Sequence, residues 1–160
     1  MCWICDHPEA TDEDYLERLR QIVRSHGWAV QYIESDRTPF AYTVGLHDCG
    51  LPELLVSGVS PDRARRLLST AARAALRGES FTPGRHTALR AGPLVEVVEV
   101  EHPDVHLAWA LNHGGPGVRA LQLVWADERG RWPWAPRFAD GRVRQPVLGV
   151  RAPRRRRQNA

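Results

Sequence analysis

The chain has 160 residues, of which 42% are hydrophobic and 26% charged. That mix suits one globular domain able to bury about two thirds of its unfolded surface without a metal or disulfide to staple it. No apolar run approaches the roughly 20 residues of a membrane helix, and no basic stretch followed by a hydrophobic one opens the chain, so we expect no membrane contact and a cytoplasmic location. The net charge is +3, yet all 22 basic residues are arginine, a bias that reads as GC-rich coding. Five of them, Arg151 and Arg154 to Arg157, stand in the last ten residues, and the body that remains is close to neutral. Residues 151–160 read as a basic disordered tail, dispensable for folding, that touches nucleic acid only weakly through non-specific electrostatics.

Thr11 ahead of Asp12, Glu13 and Asp14 is a helix start, because its side-chain oxygen can accept an orphan N–H and the acids complement the helix dipole. Tyr15, Leu16, Leu19, Ile22 and Val23 follow at helical spacing and Gly27 offers a left-handed stop, which predicts a helix over 12–25 with His26 as a cap on its dipole. WAVQYIES (28–35) and FAYTVGL (40–46) alternate as half-buried strands do and predict a hairpin. LPELLVSGVS (51–60) predicts a third, more continuously apolar strand. Ser60-Pro61 opens a helix over 61–77, since proline at the first helical position loses no needed donor. Its buried stripe is Ala64, Leu67, Leu68, Ala71, Ala75 and Leu76, and Gly78 closes it. One or two strands follow in HTALRAGPLVEVVEVE, then a short helix over 104–113 and a strand over 118–125. With no internal repeat and no linker, these elements predict a single α+β domain over 1–150, with a largely antiparallel sheet, two main helices and one shorter helix.

Chemistry concentrates at the start, MCWICDHP. Cys2 and Cys5 lie in a Cys-x-x-Cys spacing that lets one turn aim two thiolates at a metal, and His7 adds a nitrogen. LHDCG (46–50) supplies Cys49, or His47 in its place, as the fourth ligand. The set fits zinc or another soft transition metal in a structural or partner-binding role. Two readings stand beside it. If Met1 is removed, Cys2 carries an α-amino group beside its own thiol and becomes the nucleophile of a thiol-dependent enzyme. Otherwise the cysteines plug the terminus into the core of a metal-free binding or immunity-like protein. Three cysteines are too few and odd in number for a disulfide framework. His102 and His106 are four apart but lack the glutamate of a zinc-protease motif, and Pro103 sets the helix start after His102.

Trp125, Asp127, Trp132 and Trp134 crowd one segment near the end. WPW (132–134) reads as a lid over the open end of the sheet. Alternatively, Trp125 and Trp134 floor a pocket for a flat small-molecule ligand, with Tyr42, Glu53 and Asp127 as its polar contacts. Glu53, flanked by Pro52 and Leu54-Leu55, reads as a partly buried acid that needs a partner, either Arg119 or a ligand.

In chain order, MCWICDHP, HGWAVQYIESDRTPFAYTVGLHDCGLPELLVSG, and ALQLVWADERGRWPW followed by QPVLG together resemble the bacterial family called domain of unknown function 4262, over about residues 1–149. That family has no agreed activity, so the resemblance implies a fold unit and no reaction. The order YTVGL, PELLVSG and then a helix is also similar to the suppressor-of-fused type of α+β domain. MCWI is similar to the MCGI start of class II glutamine amidotransferases, but Trp3 replaces the glycine and none of that family's later motifs follow.

Overall fold

The computed structural model describes residues 3–153. Helix α1 (Trp3–Asp6) is a single turn and α2 (Asp12–His26) follows it. At the start of α2 the Thr11 hydroxyl accepts the Asp14 N–H while the Asp14 carboxylate accepts the Thr11 N–H, and Gly27 ends the helix in the left-handed region.

Six strands form one sheet: β1 (Ala29–Ile33), β2 (Phe40–Val44), β3 (Glu53–Ser57), β4 (His86–Ala88), β5 (Leu94–Glu99) and β6 (Ala120–Trp125). Their spatial order is β1-β2-β3-β6-β5-β4. Every neighbouring pair is antiparallel except β3 and β6, which run parallel at the centre. The molecule is thus an α+β domain with a mostly antiparallel sheet, as its patterning implies.

Helix α3 (Pro61–Leu76) covers one face of this sheet. Leu67, Leu68, Ala71 and Ala72 pack there on Leu54, Val56, Leu121, Leu123 and Val97. On the other face Leu19 of α2 and Ala110 of α5 (Ala108–Gly114) meet Tyr42, Val44, Leu55 and Ala120. The helix expected over 104–113 is divided: α4 (Pro103–His106) stops at Leu107, whose side chain is fully buried and whose backbone (φ −112°, ψ 52°) leaves the helical region before α5 begins. His102 caps α4 from outside, at φ 54°, so it shares no helical face with His106.

The C-terminal segment is part of the fold. Gln145 accepts the Trp125 N–H and donates to the Trp125 carbonyl, and the Pro146 carbonyl accepts from Gln122 and Ser57. Gln122 in turn accepts the Leu148 N–H. Gly149 passes so close to β5 that a Cβ there would lie 1.9 Å from the Glu99 carbonyl oxygen, a contact only glycine permits. Arg151, counted above with the tail, forks onto Glu96 at 2.7 and 3.0 Å, and His86 reaches the same carboxylate at 2.9 Å. Among the described residues no helix is long and apolar enough to cross a membrane.

Candidate functional site

The N-cap at Ser60 and the proline at the first helical position fix the phase of α3, so that its apolar stripe faces the sheet and its arginines face outward. A cavity of about 830 Å³ opens along that outer flank, between α3, the turn at 89–93 and the turn after β6. Arg63, Arg65, Arg66, Arg73 and Arg90 line it, with the hydroxyls of Ser69 and Thr70 between them. Among the described residues none of these five guanidinium groups has a carboxylate within ion-pair distance.

Arg63 stands at the end of the cavity nearest the start of α3. Its guanidinium lies 4.4 Å over the Trp125 ring, and Trp125 is locked in place by its indole N–H, which donates to the Ser57 carbonyl at 2.9 Å. Burial lowers the pKa of Arg63 from its ordinary value; nearby Glu128 opposes that shift and Arg66 adds to it. Arg73 lies over Trp28 at 5.8 Å. Two cations are thus stacked on indole rings, and Arg63 is also partly dehydrated; a guanidinium held in this way binds carboxylates and phosphates well because little side-chain freedom is left to lose.

The acids at the rim differ. Asp127 is committed to the fold: its carboxylate accepts the N–H groups of Arg129, Arg131 and Ala139 and the guanidinium of Arg131. Burial raises its pKa, but these donors more than reverse that and hold it at about 2. Trp125 and Asp127 do share a cavity, of about 540 Å³, which adjoins the first through Arg63. The other expected pocket residues are elsewhere. Tyr42 is buried on the opposite face, its hydroxyl accepting the Trp109 N–H, and burial pushes its pKa up. Trp134 stacks on Trp132 at 5.5 Å and carries Arg151 on its face at 3.5 Å, while Trp132 rests on the side chain of His86, the first residue of β4.

Glu53 is buried, and its partner is the backbone rather than Arg119, which pairs with Glu99. Its carboxylate accepts the N–H groups of Gly45, Leu46 and His47 and the Thr43 hydroxyl. Burial raises its pKa and those four donors oppose the rise.

Of the metal-ligand set, Cys2 lies outside the described residues, and with it the N-terminal nucleophile. Cys5 and Cys49 are exposed. His7 stacks on Trp3 at 4.4 Å with its Nδ1 bonded to the Trp3 carbonyl, whereas the His47 ring lies against Gly114. Among the described residues no three metal-ligating side chains converge.

The arginine flank is what sequence reasoning missed. Its signal is present, since Arg63, Arg66, Thr70, Arg73 and Arg77 recur at intervals of three and four, but in a chain whose basic residues are all arginine the coding bias masks it. Residues 22–139 match the model of the family described as a domain of unknown function (DUF4262). No curated protein and no solved structure matches the chain.

Proposed function

We propose that this chain, which belongs to the family described as a domain of unknown function (DUF4262), is a binding module that takes an anionic partner in the arginine-lined groove of α3. One observation carries the reading: five arginines surround one cavity with no carboxylate paired to any of them among the described residues, and two are stacked on tryptophan. A solvated arginine face has its side chains spread in water, whereas Arg63 is held over a buried ring and partly dehydrated. The test is thermal unfolding of the native chain and of the R63Q/R66Q variant with pyrophosphate or citrate. A ligand that binds only the folded state raises the melting temperature, so the native protein should be stabilised and the variant should not. Equal responses of the two would refute the reading.

A second reading keeps the metal-binding N-terminus, with Cys2, Cys5, His7 and Cys49 or His47 around zinc or another soft metal. Supporting it is the bond that His7 Nδ1–H donates to the Trp3 carbonyl, which fixes the ring and leaves Nε2 as the nitrogen able to ligate. Elemental analysis with intact mass of the native chain tests this reading and the Cys2 nucleophile together, reporting bound metal and retention of Met1. A cytoplasmic location goes with all of these readings, supported by the low and odd cysteine count.

A further inference from the structure

Three adjoining cavities border α3, two along its length and one at Arg63 in its first turn. The central one adjoins a cavity of about 540 Å³ through Arg63 and a third, of about 440 Å³, through Thr70, Arg73 and Arg90. The 63, 66, 70, 73, 77 spacing keeps these side chains on one helical flank, and at 1.5 Å per residue the stripe extends about 21 Å. The facing wall at the far end is β4, the last strand of the sheet. There the Val97 N–H donates to the Arg85 carbonyl and the Leu89 N–H to the Pro93 carbonyl. Alternation along an antiparallel ladder then turns the N–H and C=O of Ala88 outward to the open edge, where Thr87 and Ala88 line the cavity.

We infer that the groove takes an extended acidic peptide segment of a partner protein, whose carboxylates pair with the α3 arginines while its main chain adds to the open edge of β4. The inference rests on the anion-binding reading and names the ligand. At about 3.3 Å per residue, a strand of roughly six residues spans the stripe. Arginines on one wall and an unpaired strand edge on the other match both halves of a peptide, its side chains and its backbone. A polyphosphate matches only the first. A nucleic acid strand needs open aromatic faces for its bases, and Trp125, the tryptophan that lines the groove at its Arg63 end, already carries Arg63.

The experiment titrates the full chain at low salt with fluorescein-labelled octaglutamate, triglutamate, octathymidylate and, by calorimetry, inorganic pyrophosphate. Arg154 to Arg157 are present in every variant, so differences between variants report the groove. Octaglutamate should bind about tenfold more tightly than triglutamate or octathymidylate. Arg77→Gln and Ala88→Pro should each weaken octaglutamate by about three- to fivefold and leave pyrophosphate unchanged, whereas Arg37→Gln, in the β1–β2 turn, should alter neither. Arg77 is 64% exposed, so its variant decides the matter even if Ala88→Pro does not fold. If pyrophosphate binds but octaglutamate gains nothing over triglutamate, or octathymidylate binds as tightly, the inference is overturned and the anion-binding reading stands. If no probe prefers the native chain to R63Q/R66Q, the reading itself fails.

Discussion

Glu53 shows how one buried carboxylate can shape a turn. Gly45 adopts φ 113°, which turns three successive N–H groups inward, and Glu53 accepts all three together with the Thr43 hydroxyl. Replacing it by glutamine sets an NH2 group against those donors, so Glu53→Gln should cost at least about 1–3 kcal/mol in denaturant unfolding. The apolar context of Glu53 made its burial legible in the sequence; its partners were not, because backbone N–H groups carry no residue signature. Asp127 makes a second prediction at this scale. Its pKa is about 2 in the fold against an ordinary 3.8, so the stability it contributes is present above pH 3.8 and lost as pH falls toward 2. Glu96 acts in the same direction: burial raises its pKa, but the Arg151 and His86 contacts bring it below the ordinary value. Acid unfolding should therefore be shallower over that window in Asp127→Asn than in the native chain. An unchanged profile would mean those hydrogen bonds contribute little.

Elements with complete local signals are legible in the sequence. Helix α3 starts at the Ser-Pro pair and ends at Leu76, one residue short of its expected limit, and α2 runs one residue past its own. The hairpin of β1 and β2 follows from alternation alone. What failed depended on contacts distant in sequence. Leu107 breaks the 104–113 helix because burying its side chain outweighs one more helical hydrogen bond. The segment at 142–151 has no strong strand or helix pattern, so its role in satisfying Gln122, Ser57 and Glu96 was invisible to periodicity. Arg151→Ala leaves a carboxylate that is 2% exposed with His86 alone. It should therefore destabilise the fold by about 1–3 kcal/mol, below the cost of breaking a fully buried pair because Arg151 is itself 39% exposed. A melting temperature unchanged in that variant would show the contact to be superficial.

At the scale of the molecule, a modest net charge conceals an uneven distribution. The sheet centre is apolar, the acids at Asp127, Glu96 and Glu53 are consumed by internal donors, and α3 gathers four arginines on one flank beside an open strand edge. Binding to such a surface should weaken as salt rises through about 0.1–0.2 M, where the screening length falls below about 10 Å. The sequence made the helix and its phase legible, but only the fold brings the 89–93 turn and Ala88 opposite it. Occupation of the α3 groove is read out by site-resolved NMR of the arginine Nε–H signals, followed as octaglutamate is added to the full chain. Arg63, Arg66, Arg73, Arg77 and Arg90 should shift together and saturate at one concentration, while Arg24 and Arg119, each paired to a glutamate, stay in place. Shifts confined to Arg154–Arg157, or spread evenly over all arginines, would contradict occupation of the groove.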